Sequence, residues 1–443
     1  MVVAGLAPRR KLGHDRSPDG YCRSAGLLPV QTVAGDEGRG EVLTGLETMS
    51  PWDPRIWRLP WDNGGDVPHA LLDILRGCNL RCQACYNHLE SRTKPLAEVQ
   101  AEVDGLLRLR RLQSISIVGG EPLLHPELCN IVRFLRHRGL RVELFTNGLL
   151  LDQDACARLK EAGTDLVFLH IDSGQDRPDL PASAAWPERR HLISEKAACV
   201  TAAGMEAGLT ITAYPDRPGE VEDGVQLTLD SEDLGYLLVT RFREHAAIVA
   251  IEGNLESGLM ATVEGTPHAS PRNMRSHLDL QHLLLDKHAI RPFAGLGSNR
   301  DPQDARWLSY FVGTTSRHGR RLVTQGLRAS ACERLFSVLY RQFAGRYLFF
   351  VPWNVSRFWI QLLFNAASGG NARGNLRLAG SALLPGHLLH AKRLLFQNPA
   401  EVDAFGNVTH CVNCPDATFH NGQLIPVCLA DLCRPVSTPC TSP

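Results

Sequence analysis

From about Pro68 to Phe242 short apolar runs alternate with charged, amphipathic segments, and this rhythm constrains the fold more than any other feature of the chain. Strands separated by helix-length segments pair in parallel through crossovers rather than as hairpins. Six strands are predicted, within "HALLDILRG", "SISIVGG", "RVELFTNG", "DLVFLHIDSG", "AGLTITAYP" and "LGYLLVTRF". The intervening stretches "PELCNIVRFLRHRG" and "QDACARLKEAG" end at Gly139 and Gly163, as helix C-termini often do. The expected fold is α/β, a partial (β/α)6 TIM-like barrel over residues 66–243.

The rest of the chain is organised around that core. Residues 1–65, rich in Gly, Pro, Arg and Asp, show neither strand nor helix period and are expected to be a mostly disordered lead, with Met49 as an alternative start. Residues 244–397 read as a helical or irregular region of unknown role, with a helix near "LRASACERLFSVLYRQF". Residues 398–443 form a cysteine-rich segment, expected to be a small metal-held module.

Bulk charge excludes little but points nowhere. Lys plus Arg and Asp plus Glu are 47 each, so nothing in the net charge calls for nucleic acid. The N-terminal stretch lacks a signal-peptide core, and the 13 cysteines are therefore expected to be reduced thiols in the cytoplasm. The segment "RYLFFVPWNVSRFWIQLLF" is interrupted by Arg346, Pro352, Asn354 and Arg357, too polar for a transmembrane span. A core helix, an apolar cavity wall for a lipid-like substrate, or contact with a membrane surface remain as its readings.

Two short motifs carry the chemistry. "RGCNLRCQAC" sets Cys78, Cys82 and Cys85 in a C-x3-C-x2-C loop directly after the first predicted strand, at the edge of the sheet where α/β barrels build active sites. A closed structural zinc site takes four ligands, so three thiolates leave one coordination position open. The triplet alone would also fit part of a zinc site or three buried thiols. "VGGEP" then closes the second strand: Gly119 and Gly120 permit close backbone approach, Glu121 offers a carboxylate to an ammonium group, and Pro122 follows.

With these two motifs the region from about Leu71 to Phe242 resembles the radical S-adenosylmethionine (radical SAM) superfamily. The resemblance implies a [4Fe-4S] cluster on Cys78, Cys82 and Cys85, with S-adenosylmethionine bound at its fourth iron and cleaved to a 5′-deoxyadenosyl radical. It implies that Glu121 holds the methionine ammonium, that Thr146 and Asn147 of "FTNG" lie near the cofactor, and that His170 and Asp172 stand where the family commonly carries a Ser-x-Asp pair. An aromatic residue commonly precedes the third cysteine; here Ala84 precedes Cys85 and Tyr86 follows it. An electron donor such as flavodoxin or ferredoxin is implied, together with a peptide, small-molecule or lipid-like substrate.

"HCVNCPDATFHNGQLIPVCLADLC" resembles the SPASM or twitch modules that follow many such barrels, which implies an auxiliary iron–sulfur cluster held by Cys411, Cys414, Cys428 and Cys433. Five residues separate Gly422 from Cys428 where those modules usually have four. A structural zinc site or plain thiols are the competing readings. The rival for the whole chain is a non-catalytic zinc-binding scaffold, against which stands Glu121 beside its two glycines.

Overall fold

The computed structural model describes residues 56–59, 61, 64–85, 87, 91–181, 183–242, 277–345, 355–402 and 408–430. Met49 and most of the lead, Tyr86, residues 346–354, and Cys433 lie outside them. In chain order the strands begin with β1 (Trp57–Arg58), β2 (His69–Asp73), β3 (Arg81–Cys82), β4 (Ser114–Val118), β5 (Arg141–Thr146), β6 (Leu166–His170), β7 (Gln175–Asp176), β8 (Glu206–Ala213) and β9 (Leu234–Arg241). Helices α1 (Leu96–Leu109), α2 (Leu128–His137), α3 (Gln153–Ala162), α4 (Trp186–Ala202) and α5 (Pro218–Asp230) fall between them. The six predicted strands are all present, and β2, β4, β5, β6, β8 and β9 lie side by side, parallel, in chain order. Crossovers between successive neighbours pack α1 to α5 on the same strand residues, the arrangement of a barrel wall.

That outer face is aliphatic. Val103 and Leu106 of α1, Ile131 and Leu135 of α2, Ile193 of α4 and Val225 of α5 pack on Ile117, Leu144, Leu169, Leu209 and Val239 in one buried cluster. The residues between these on the strands point the other way. There Arg141 binds both oxygens of Glu206 at 3.2 and 3.0 Å and lies 3.5 Å from Glu143. Ser116 donates to Glu143 at 3.0 Å and contacts the ring of His69 at 3.2 Å. Period-2 alternation thus separates a dry outer wall from an inner one that is polar around Ser116, Arg141, Glu143 and Glu206 and apolar around Phe145, Leu166, Phe168 and Leu238.

Residues 244–397 differ from expectation, because four more strands of the same sheet occur there. They are β10 (Ala294–Gly297), β11 (Ala305–Arg317), β12 (Arg320–Gly326) and β13 (Leu388–Gln397), alongside helices α6 (His277–His288), α7 (Ala331–Ala344), α8 (Val355–Ala367) and α9 (Ala372–Ala382). β13 extends the parallel row beside β9, and β11 returns antiparallel beside β13. β11 is buried on both faces for most of its length, so it lacks the alternation that marks a strand, and Gly313 interrupts its middle. The predicted helix near "LRASACERLFSVLYRQF" is α7, opened by a capping box between Ser330 and Glu333.

The last described elements are the pair β14 (Glu401–Val402) and β15 (Val408–Thr409), then the hairpin of β16 (Ala417–His420) and β17 (Gln423–Pro426). Asn421 and Gly422, at φ +46° and +83°, make its two-residue turn.

Glu333 tests how α7 is held. It is 3% exposed, and burial pushes its carboxyl up to about 7, with the Ser330 N–H and the Asn365 and Gln361 amides acting against the shift. A folded pKa above the unfolded one gives stability that is complete below about pH 4.5 and lost as pH rises through 7. The unfolding free energy from urea titrations should therefore fall between pH 5 and pH 8 by up to about 3 kcal/mol, and Glu333→Gln should flatten most of that fall.

Candidate active site

The C-terminal edge of the parallel strands gathers both sequence motifs. After β2 the backbone runs through Leu75 and Gly77 to Cys78; after β4 it runs through Gly119 and Gly120 to Glu121. The two segments are laced together: the Gly120 N–H donates to Leu75 O at 2.8 Å and the Glu121 N–H to Gly77 O at 2.9 Å. A Cβ at Gly120 would overlap the Gly77 carbonyl, and one at Gly119, whose φ is +144°, would overlap that of Leu75. Only glycines permit this contact, which fixes the entry to the cysteine loop.

Glu121 is fully buried and does more than the sequence implies. Its Oε1 accepts from Thr146 Oγ1 at 2.7 Å and from the Leu123 N–H at 3.0 Å; its Oε2 accepts from the Asn147 N–H at 2.8 Å. The carboxylate therefore ties the VGGEP turn to the end of β5. Burial raises its pKa, opposed by those donors and by the Arg177 charge. A carboxylate offers about four acceptor positions, so three donors leave one for a ligand. Pro122 opens a single 3-10 turn beneath it.

Asn147 carries the connection to the cysteines. Its Nδ2 donates to Asn79 Oδ1 at 2.7 Å and lies 3.9 Å from Cys78 Sγ. Cys78 Sγ also accepts from the Leu80 N–H at 3.5 Å, and Cys85 Sγ lies 3.5 Å from Asn87 O. On the other side, Cys82 pairs with Gln175 as β3 meets β7. Burial, then the charges of Cys85, Asp172 and Cys78, push the Cys82 thiol up to about 12, and burial raises Cys78 as well. A thiol raised by burial and by neighbouring negative groups, as Cys82 is, becomes a thiolate most readily beside a cation. Among the described residues no three His, Cys, Asp or Glu side chains converge on one metal-sized point. The donor set and its electrostatics nonetheless fit a thiolate-bound cluster.

His170 and Asp172 meet each other: Nε2 lies 3.0 Å from Oδ2. Asp172 also accepts from the Gly174 N–H at 2.9 Å and the Thr212 N–H at 3.1 Å. Burial would raise its pKa, but the His170 charge and these hydrogen bonds outweigh it and hold the carboxyl below its usual value. Asp172 also lines a cavity of about 190 Å³ with Arg81, Gln83, Gln175, Arg177 and Arg189; no cysteine reaches it, although the cysteine loop forms one wall.

Arg177 is the residue whose role the sequence leaves open. Buried to 6% exposure, it donates to Asn147 O at 2.8 Å and Gln175 Oε1 at 3.0 Å, and its other nitrogens pair with Asp179. It therefore joins the Glu121–Asn147 group to the loop beside Cys82. Its one signal was the polarity of "DSGQDRPD".

The C-terminal cysteines lie at the opposite edge. Cys411 and Cys414 are buried, and a hydrogen bond between the two, with burial, raises the Cys414 thiol. Arg110 donates to Cys414 O at 2.7 Å and to His69 O at 2.6 Å, anchoring the segment where β2 begins. Cys428 follows β17 and accepts from the Ala400 N–H at 3.4 Å; Cys433 lies outside the described residues.

The model of the Radical SAM superfamily matches residues 72–225, from β2 into α5. This segment is a radical SAM domain. The PqqA peptide cyclase of Streptomyces rochei is 32% identical over 173 residues, 37% of this chain and 46% of that protein. The GTP 3′,8-cyclase of Chlorobaculum tepidum is 36% identical over 114 residues, 25% and 34% of the two chains. Streptococcus suis SuiB bound to S-adenosylmethionine aligns with 44% of this chain and 47% of its own, at 14% identity and a TM-score of 0.33. The chain spans less than half the length of either of these curated relatives.

Within the radical SAM domain, Glu121→Ala should leave three chain donors without their acceptor. The expected loss is about 2–5 kcal/mol of unfolding free energy, read from urea denaturation, and smaller for Glu121→Gln, whose amide oxygen keeps the Thr146 and Leu123 donors while its NH2 is set against the Asn147 N–H. Equal losses would show that the bond to the Asn147 N–H, which an amide nitrogen does not accept, holds the turn.

Proposed function

We propose that this chain is a radical SAM enzyme with a [4Fe-4S] cluster on Cys78, Cys82 and Cys85. The observation that carries the proposal is the three-thiol loop at the C-terminal edge of the strands, laced by backbone hydrogen bonds to the VGGEP turn. When bound, the reduced cluster supplies the electron that splits S-adenosylmethionine to methionine and a 5′-deoxyadenosyl radical, which takes hydrogen from substrate. The protein's own part is placement. Glu121 offers its remaining acceptor position to the methionine ammonium, and Thr146 and Asn147 hold that carboxylate in position. Asn147 also steadies Cys78 through Asn79, while Asp172, kept anionic with His170 as partner, offers an acceptor to the cofactor's hydroxyls.

For the substrate we propose a peptide or polar small molecule. The curated relatives include a peptide cyclase and a nucleotide cyclase by name, and the cavity beside the cysteine loop is lined by Arg81, Asp172, Arg177 and Arg189. The electron comes, in this reading, from a flavodoxin or ferredoxin in the cytoplasm. No helix among the described residues is long and apolar enough to cross a membrane.

The test is the triple variant Cys78→Ala, Cys82→Ala, Cys85→Ala. Incubated anaerobically with dithionite and S-adenosylmethionine, the parent should form 5′-deoxyadenosine and the variant none; undiminished formation in the variant would overturn the reading. A second expectation concerns Cys411 and Cys414, proposed with Cys428 and Cys433 as ligands of an auxiliary cluster. Changing both to Ala should lower iron and sulfide content while leaving cleavage of S-adenosylmethionine measurable, because the two cysteine groups lie at opposite edges of the sheet. Loss of stoichiometric zinc with unchanged iron would make the module a zinc knuckle.

A further inference from the structure

The helix α7 is built with much of its polarity reversed, whereas its neighbours α8 and α9 dock on the sheet through Phe358, Leu362 and Leu378. On α7 the buried side chains are Glu333 and Ser337, whereas Leu335, Leu339 and Phe343, spaced four apart on one stripe, are 62%, 41% and 88% exposed. A helix that docks through hydrophobic burial shows the opposite arrangement. The inward polar groups meet across the helices: Asn365 on α8 donates to Glu333 and to Arg328 O, and Asn375 on α9 donates to Asn365 Oδ1 at 2.7 Å. This ladder fixes which sides face inward, and Phe336 stacks beside Phe364 at 5.3 Å to set α7 against α8.

The outward sides carry an apolar surface continued by Ile360 and Leu363 on α8, Leu376 on α9, and Leu383 and Leu384 just after it. Scattered exposed leucines are ordinary; a group spread over three adjoining helices marks an interaction surface. Charge selects the partner. Across residues 331–345 and 355–390 there are five arginines and a single acidic residue, the buried Glu333. Arg373 and Arg377 are exposed on α9 beside Leu376. A second copy of this face would bring arginines against arginines. An anionic lipid surface satisfies both properties, taking the apolar side chains among its acyl chains and the guanidinium groups among its phosphates.

We propose that α7, α8 and α9 form an interfacial surface that binds the protein peripherally to an anionic phospholipid bilayer. The full chain should co-sediment with phosphatidylcholine vesicles containing roughly one-third phosphatidylglycerol, and bind pure phosphatidylcholine at least about tenfold more weakly. The double variant Leu339→Asp, Phe343→Asp should lose at least about tenfold in binding, at unchanged melting temperature since both sites face solvent. Arg373→Glu with Arg377→Glu, which leaves the apolar stripe intact, should abolish the preference for the anionic vesicles. Failure of the parent chain to bind these vesicles overturns the proposal. Equal binding to both vesicle types also overturns it, as does light scattering that finds a dimer dissociated by the Asp variant, which would make a second copy the occupant.

Discussion

The close passage of Gly119 and Gly120 over the carbonyls of Leu75 and Gly77 is the contact on which the rest of the site depends. Without side chains at these positions, two parallel strand ends approach to backbone hydrogen-bond distance beyond the last sheet pair. The first cysteine follows Gly77 directly, so the loop starts from a fixed point. Glu121 follows Gly120 directly, so its carboxylate arrives under β5, where Thr146 and the Asn147 N–H meet it. A buried carboxylate is costly unless its acceptor positions are met, and three of this one's are met by donors from two segments of the chain.

From that point order spreads around the edge by side chains rather than backbone. Asn147 reaches Asn79 and Cys78; Arg177 reaches Asn147 and Gln175; Gln175 pairs with Cys82. The ring closes on the cysteine loop from two sides, at Cys78 and at Cys82. At the other edge, Arg110 clamps the Cys411–Cys414 segment to the first residue of β2, and Phe419 lies against Gly105 of α1. One strand therefore relates both cysteine groups.

Much of this was legible in the chain because it rests on local spacing. The six strands and the caps at Gly139 and Gly163 follow from period and turn chemistry, and both glycines have positive φ, +77° and +109°. The cysteine spacing and the VGGEP turn likewise lie within short windows. What was not legible depended on distant partners. β11 is a strand because it is flanked on both sides by other strands, and a doubly buried strand carries no alternation to read. Arg177 looked like loop polarity until the fold set it beside Asn147, thirty positions earlier.

The sequence by itself determined the parallel βα core, the three-thiol loop and the glycine turn, since each follows from side-chain periodicity or from the conformational freedom of neighbouring residues. Only the tertiary structure decided that Glu121 is a buried tie as well as an acceptor, that the two cysteine groups lie at opposite edges, and that α7 turns its apolar stripe outward. Those facts depend on which segments meet across tens or hundreds of residues. Burial and hydrogen-bond satisfaction are settled at that range, where no local pattern records them.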